Sequence, residues 1–317
     1  SLKKALELVK IAKRCGADAV KFQLFDMFEQ ISKKAPTAPY QKNQTRKKSM
    51  LEMAKSYELN WNDHFKIKKL CDNLKIEYMA SCFDKKSVDF YMNKLKAKCL
   101  KIASSEIDNL RLLKYINKKS KNVILSTGMA NFDEIKKALK VLKKVKNLTI
   151  MQCTSLYPTS VNELNLKLIK LFSKKFNLKV GLSDHTLIDI PSLVSIGLGA
   201  SVIEKHFTIN KKLKGPDHAM SLNPTELTRY IKNIRIAEVC LGKEKDKPTK
   251  KEKKIKKYSR RGLFSSKIIK KGKKITINDI VYKRPSTYMP IKFEKEILGK
   301  RIKKNLNIDE PFQKKYF

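Results

Sequence analysis

Short apolar runs alternate with longer amphipathic stretches along the first 240 residues of the chain. The amphipathic stretches, for example 134–144 and 164–175, carry apolar residues at helical spacing, whereas the short runs have the length of buried strands. Alternation of this kind is typical of βαβ units around a parallel sheet. The seven predicted strands span residues 17–23, 76–83, 99–104, 123–127, 148–153, 180–183 and 202–207.

Seven such units come within one strand of the eight that make a TIM barrel. The chain begins with Ser1 rather than Met and opens directly into a helical pattern that includes Leu2, Leu6 and Val9. We therefore predict a TIM (β/α)8 barrel that lacks its first strand in this chain, because the sequence is truncated at its N-terminus. A seven-stranded or open sheet is the alternative.

The pattern changes near residue 242. Residues 243–257 hold nine lysines, three acidic residues and Pro248, with almost nothing apolar. This composition predicts a lysine-rich linker over 242–258 that joins a barrel domain, 1–241, to a small β-rich domain, 259–317. A piece of this size has little room for a core of its own, so we expect it to pack against something else.

The formal net charge of +42 raises the question of nucleic-acid binding. Only nine of the 72 basic residues are arginine, the residue on which specific readers of nucleic acid rely. The chain also has no helix-turn-helix, RNA-binding or zinc-finger signature. We predict no specific nucleic-acid partner, and note that a positive field favours an anionic substrate.

Hydrophobic residues make up 41% of the 317-residue chain and charged residues 32%, which indicates a globular protein. The longest nearly apolar stretch, 190–203, is too short to span a bilayer, and no secretory signal opens the sequence. The six cysteines lack CxxC spacing, which favours free thiols over disulfides or structural zinc. We therefore predict a cytoplasmic protein without a membrane partner.

Two histidines follow neighbouring predicted strands. His185 ends the run VGLSDH, and His206 nearly ends VIEKHF. The carboxyl ends of parallel strands meet on the face where barrels place their catalytic groups, so both imidazoles could reach one divalent ion. Two nitrogen ligands with open positions indicate a Lewis-acid site rather than a structural one. The alternative is a pair of hydrogen-bonding core residues.

Two lysines lie inside predicted strands. Lys21 shares a strand face with Gln23, and Lys101 is followed by Ser104 and Glu106. A buried ammonium group needs a partner, and a phosphate and a carboxylate would suit two lysines and a serine hydroxyl. The alternative is an internal ion pair in which Glu106 neutralises one of the lysines. The chain has neither a P-loop nor a GxGxxG run, which argues against nucleotide handling.

These residues lie in motifs that resemble the bacterial N-acetylneuraminate (sialic acid) synthase family, including its legionaminate-type relatives. The tail resembles the antifreeze-like (SAF) domain of the same family. The matching motifs are KFQ at 21–23, KIASSE at 101–106, LSTGMA at 125–130, QCTSLYPT at 152–159, GLSDHT at 181–186, EKHFT at 204–208, GPDH at 215–218, SRRGLFSSKIIKKGKKIT at 259–276, KRP at 283–285 and ILGK at 297–300.

The resemblance implies a metal-dependent enzyme that condenses phosphoenolpyruvate with N-acetylmannosamine or a related acetamido sugar and releases phosphate. It implies Mn²⁺, or else Mg²⁺ or Co²⁺, at His185 and His206. It implies a domain-swapped homodimer in which Arg284 contacts the N-acyl group of the sugar. The other implied residues are Lys21, Lys101, Ser104 and Ser183 at phosphoenolpyruvate, Gln23, Tyr157 and Asp217 at the sugar, and Glu106 near the reacting carbons.

The sequence departs from the family pattern in a few places. The EIG-x-N motif of the family's first strand is absent, Cys82 stands where Thr, Pro or Ala is usual, and Ser286 and Tyr288 replace glycines after Arg284. A pseudaminate synthase or an octulosonate-phosphate synthase of the same fold is one alternative. A non-catalytic remnant that binds polyanions through its lysines is the other.

Overall fold

The computed structural model describes residues 1–32, 34, 35, 51, 55 and 57–317. The chain divides into two units, Ser1–Gly242 and Lys243–Phe317. The strands of the first unit are β1 Ala19–Leu24, β2 Glu77–Cys82, β3 Leu100–Ile102, β4 Asn122–Ser126, β5 Asn147–Cys153, β6 Lys179–Asp184 and β7 Ala200–Lys205. All seven agree with the predicted strands to within two residues at each end.

Helices connect these strands, as the sequence pattern predicts. They are α1 Leu2–Arg14, α2 Met27–Gln30, α3 Trp61–Leu74, α4 Lys85–Asp89, α5 Leu110–Lys119, α6 Phe132–Val141, α7 Lys167–Phe176, α8 Ile190–Gly197 and α9 Pro224–Leu241. Local signals set several starts: Asn131 and Glu134 form a capping box at α6, and Asn223 and Glu226 form another at α9.

The seven strands form one parallel sheet in the order β1 to β7. In a flat sheet, strands spaced by about 4.8 Å would put β1 and β7 roughly 29 Å apart. Instead, Lys21 Nζ in β1 lies 2.7 Å from Glu204 Oε2 in β7. The sheet is therefore curled into a TIM-like barrel, the predicted fold, and a flat open sheet is excluded.

The apolar core of the first unit lies between the outer face of this sheet and the helices that surround it. Leu100, Ile102, Leu125 and Ile150 are completely buried there, and apolar residues of α3, α5 and α7 pack against the same cluster. The apolar packing fixes the strands, so that side chains at their carboxyl ends occupy defined positions.

The second unit has a hydrophobic core of its own, contrary to the expectation that it is too small for one. Its elements are α10 Lys250–Ser259, the antiparallel pair β8 Gly262–Ser265 and β9 Ile280–Lys283, and α11 Glu294–Ile297. The buried apolar residues are Leu263, Ile269, Ile275, Met289, Ile297, Ile302, Leu306 and Phe312.

The helix α10 occupies much of the predicted lysine-rich linker. It has no buried residue, and Thr249 starts it by forming a capping box with Glu252. None of the helices in the described part of the chain is both long and apolar enough to cross a membrane.

Candidate active site

A partly buried carboxylate joins two lysines inside the barrel. Glu204 in β7 accepts from Lys21 in β1 at 2.7 Å and from Lys101 in β3 at 3.2 Å, through different oxygens. The Lys101 side chain is only 3% exposed. These three residues meet because each points inward from its strand, and the curled sheet brings β1, β3 and β7 together.

The charges of this cluster depend on one another. Burial alone would raise the pKa of Glu204, but the ammonium groups of Lys101 and Lys21 lower it far below its ordinary value. Burial lowers the pKa of Lys21 to about 8, even though Glu204 and its hydrogen bond act in the opposite direction. The pocket therefore combines two cations with one carboxylate and remains attractive to an anion.

Glu204 is the functional candidate that sequence reasoning missed. An internal ion pair was the alternative to a bound anion, with Glu106 as its carboxylate; the ion pair exists, but its carboxylate is Glu204. Glu106 instead accepts from Asn109 Nδ2 at 2.9 Å and from Ser105 Oγ at 3.3 Å, in a 3₁₀ turn just after β3. The sequence did contain a signal for Glu204, since it stands two residues before His206 and therefore shares its strand face.

The two predicted histidines lie side by side. The register of β6 and β7 pairs Ser183 with Glu204 and Asp184 with Lys205, so His185 and His206 follow at the same level. Their ring centroids are 5.5 Å apart. His185 Nδ1 donates to the carbonyl oxygen of Thr154 at 2.7 Å, which leaves the lone pair on Nε2.

Both imidazoles are neutral at physiological pH. Burial lowers the pKa of His185, and burial together with nearby His185 and Lys21 lowers the pKa of His206 to about 3. A neutral imidazole is the form that binds a metal ion. Two imidazoles that bind one ion through nitrogen at about 2.1 Å have centroids roughly 5 Å apart, so this pair fits a shared cation.

No group of three or more His, Cys, Asp and Glu side chains is arranged to hold a metal ion in the part of the chain that the structure describes. A cation held by two imidazoles alone would keep positions for water or substrate. The donor set thus fits a Lewis-acid site better than a structural one.

Ser183 links the histidines to the cluster of lysines. Its hydroxyl donates to Glu204 Oε1 at 3.0 Å and lies 3.4 Å from His185 Nε2. The ring of Tyr157 lies 4.2 Å from that of His185 and 5.8 Å from that of His206, measured between centroids. Asp217 Oδ2 lies 4.0 Å from His206 Nδ1. One continuous site therefore contains both predicted ligands and several predicted substrate contacts.

Ser104, which follows β3, meets Ser155, which follows β5. Ser104 Oγ and Ser155 Oγ are 3.1 Å apart. The space for Ser155 depends on Gly128, because a Cβ atom there would stand 2.2 Å from Ser155 Oγ. The LSTGMA segment is therefore close to the Ser104 hydroxyl and needs glycine at this one position.

Two predicted sugar contacts are less constrained. Gln23 lies in β1 two residues after Lys21, on the same face, and is exposed to solvent. Arg284 follows β9 in the second unit and is also exposed. Cys82, the unusual residue of β2, is completely buried and donates its thiol to the carbonyl oxygen of Ser87.

Fold and site together define a barrel protein with a cluster of two lysines and a glutamate beside two neighbouring imidazoles. The chain belongs to the NeuB family, whose sequence model matches residues 8–246. The predicted resemblance to sialic acid synthases is thereby confirmed at the level of the family.

Named relatives extend over most of the chain. An N,N'-diacetyllegionaminic acid synthase of Legionella pneumophila is 39% identical over 313 residues, covering 96% of this chain and 88% of that protein. A protein of the same name from Campylobacter jejuni is 42% identical, covering 96% and 93%. The crystal structure of an N-acetylneuraminic acid synthetase from Leptospira borgpetersenii in complex with citrate is 28% identical with a TM-score of 0.71, covering 80% of this chain and 84% of that chain.

Proposed function

We propose that the protein is a nonulosonic acid synthase, which condenses phosphoenolpyruvate with an acetamido sugar and releases phosphate. The observation that carries the proposal is the cluster of Lys21, Lys101 and Glu204 directly beside the paired imidazoles of His185 and His206. Membership of the NeuB family and the names of its relatives agree with this chemistry.

The two lysines bind the anionic groups of phosphoenolpyruvate. Charge-assisted hydrogen bonds from Lys21 and Lys101 suit a phosphate and a carboxylate, and the hydroxyls of Ser104 and Ser183 add neutral donors. Because Glu204 already pairs with both lysines, it holds their side chains in place before the substrate arrives. Lys101, almost fully buried, then stabilises the negative charge of the departing phosphate.

His185 and His206 would hold a divalent cation, for which Mn²⁺ is our first choice and Mg²⁺ or Co²⁺ the alternatives. When bound, such an ion supplies Lewis acidity to the aldehyde oxygen of the open-chain sugar. The hydrogen bond from His185 Nδ1 to Thr154 fixes the tautomer and the ring orientation that this role requires.

Carbon–carbon bond formation leaves a positive charge at C2 of the former phosphoenolpyruvate, which water must quench. We assign the positioning of that water to Glu106, whose carboxylate is already oriented by Asn109.

Gln23, Tyr157 and Asp217 would contact the sugar hydroxyls. Arg284 would contact the N-acyl group of the sugar bound to the partner, if the chain forms the domain-swapped homodimer.

Two acetamido sugars are candidates for the acceptor that reacts with phosphoenolpyruvate. The two relatives named as N,N'-diacetyllegionaminic acid synthases favour a 2,4-diacetamido-6-deoxymannose over N-acetylmannosamine. Pseudaminate synthases tend to lose the GPDH run, which is intact at 215–218. An octulosonate-phosphate synthase lacks a C-terminal domain, whereas the second unit here has its own core.

The proposal is tested by phosphate release from phosphoenolpyruvate. The assay uses each of the two sugars and the pseudaminate precursor in turn, with Mn²⁺ and with a chelator. We expect release to require both a sugar and the cation, and to be fastest with the 2,4-diacetamido sugar. Release without any sugar, or complete indifference to the chelator, would overturn the synthase proposal. Binding of polyanions without any turnover would favour the non-catalytic alternative.

The pH dependence of phosphoenolpyruvate capture should report Lys21. Its pKa in the free protein is lowered to about 8, so the ammonium form that attracts the anion is present below this pH and is lost above it. Because kcat/KM reports the free enzyme, we expect kcat/KM for phosphoenolpyruvate to fall above about pH 8. In Lys21→Arg this limb should move to higher pH, since a guanidinium does not lose its proton there. An unmoved limb would exclude Lys21 as its origin.

A further inference from the structure

A buried ion pair lies on the other side of the two strands that carry the histidines. Lys205 Nζ is 2.8 Å from Asp184 Oδ2, and the two side chains are 4% and 0% exposed. Asp184 immediately precedes His185, and Lys205 immediately precedes His206. Because side chains alternate along a strand, the ion pair points away from the pocket, toward α8 and α9.

Both oxygens of the Asp184 carboxylate are fully engaged. Oδ1 accepts from the backbone N–H of Thr186 at 2.9 Å and from its hydroxyl at 2.8 Å. Oδ2 accepts from Ser192 Oγ in α8 and from the hydroxyl of Tyr230 in α9, both at 3.1 Å. Lys205 also donates to the carbonyl oxygen of Thr186. One carboxylate therefore ties together β6, β7 and both helices behind the site.

Stability is a poor reason for this arrangement. A buried ion pair is often no more stable than well-packed apolar residues of the same volume, since both charges lose their hydration. The pair does fix the position of β6 relative to β7, because each partner must be placed to within a fraction of an ångström to keep its hydrogen bonds.

The alignment of β6 with β7 matters at the carboxyl ends of these strands, where the histidines lie. The pairing of β6 with β7 ends at Asp184 and Lys205, so the histidines lie just beyond the last paired residues. A slip of one residue would turn His206 out of the pocket, because the side-chain period of a strand is two. The Asp184–Lys205 pair locks the register one residue before each imidazole.

We propose that Asp184, Lys205 and Tyr230 are positioning residues that fix the separation of the two imidazoles and thereby set the affinity for the divalent cation. This inference rests on the proposed function, in which His185 and His206 bind that cation. The three residues touch neither the cation nor the substrates.

The test is the dissociation constant for Mn²⁺, measured by EPR of free Mn²⁺ on the metal-free protein. We expect Asp184→Asn, which keeps the shape but removes the charge, to raise this constant about 10-fold, the lower end of the range for groups that hydrogen-bond directly to a metal ligand. Tyr230→Phe, which removes one donor to Asp184, should raise it by a smaller factor. The KM for phosphoenolpyruvate should change little in either variant.

Tyr91→Phe is the matched control. Tyr91 is as deeply buried as Tyr230, and its hydroxyl donates to the carbonyl oxygen of Cys99 at 2.5 Å and accepts from the N–H of Ala80. These contacts lie between β2 and β3, so the loss of this hydroxyl should leave Mn²⁺ binding unchanged.

An unchanged Mn²⁺ constant in Asp184→Asn would overturn the positioning role while leaving the proposed function intact. If Asp184→Asn does not fold, equal constants in Tyr230→Phe and Tyr91→Phe would overturn it instead. Failure of the unaltered protein to bind Mn²⁺ at all would overturn the proposed cation site itself, and the wild-type titration distinguishes this case from the first.

Discussion

His206→Ala abolishes metal-dependent phosphate release, with a fall of at least about 100-fold in turnover, while the midpoint of thermal unfolding moves by only about 2 °C. The loss of turnover follows because one imidazole cannot hold the cation whose Lewis acidity is worth several kcal/mol. The small change in stability follows because the His206 side chain is 31% exposed and its contact with Asp217 is as long as 4.0 Å.

The matched control for this prediction is His218→Ala. The ring of His218 bonds to Thr208 and belongs to the turn after β7, so its removal should leave the dependence on the cation and its apparent affinity unchanged. Equal loss of metal dependence in both variants, or full turnover in His206→Ala, would count against a site built on His185 and His206.

Glu204→Leu lowers the free energy of unfolding of the barrel by about 3 kcal/mol or more. The change leaves the ammonium groups of Lys21 and Lys101 facing each other without their shared carboxylate, and removing one partner of a buried ion pair typically costs about 3–5 kcal/mol. Phosphoenolpyruvate brings in new negative charge, so it should raise the melting temperature of Glu204→Leu more than that of the unaltered protein.

Glu106→Leu provides the comparison for stability. The same substitution is made at a half-buried carboxylate whose contacts are Asn109 and Ser105, so we expect a loss below about 1 kcal/mol. If Glu106→Leu destabilises the protein as much as Glu204→Leu does, the lysines are not the reason for the effect. If phosphoenolpyruvate stabilises both variants equally, it does not replace the Glu204 carboxylate.

The alternation of apolar runs made the barrel readable from the sequence. Strands such as β5, Asn147–Cys153, are buried along nearly their whole length and are rich in apolar residues. The same runs end at His185 and close to His206, which placed both imidazoles on one face before any distances were known.

The sequence did not predict which residues meet inside the barrel when the sheet closes. The alternation of side chains along a strand shows which residues share a face, but it does not show which strands face each other across the barrel interior. For this reason the sequence suggested only Glu106, which is near Lys101, as the carboxylate of an internal ion pair, whereas the actual partner Glu204 is 103 residues away from Lys101. The Asp184–Lys205 pair was missed for a related reason, since its register depends on how β6 aligns with β7.

The second unit shows a different limit. The stretch 250–259 has no apolar periodicity, so it resembled a solvated linker, yet Thr249 and Glu252 provide the capping box that starts a helix. The core of this unit draws single residues from loops and short strands, for example Ile269 and Leu306. Such a core has no regular period for sequence reasoning to detect.

In the proposed site, two imidazoles on neighbouring strands bind one divalent cation beside the ammonium groups of Lys21 and Lys101. Pulsed EPR of the Mn²⁺-loaded protein tests it directly, because nitrogen atoms bound to Mn²⁺ give resolved hyperfine couplings. We expect couplings from two imidazole nitrogens in the unaltered protein and the loss of one of them in His206→Ala. A Mn²⁺ ion surrounded only by oxygen, or couplings that His206→Ala leaves unchanged, would contradict it.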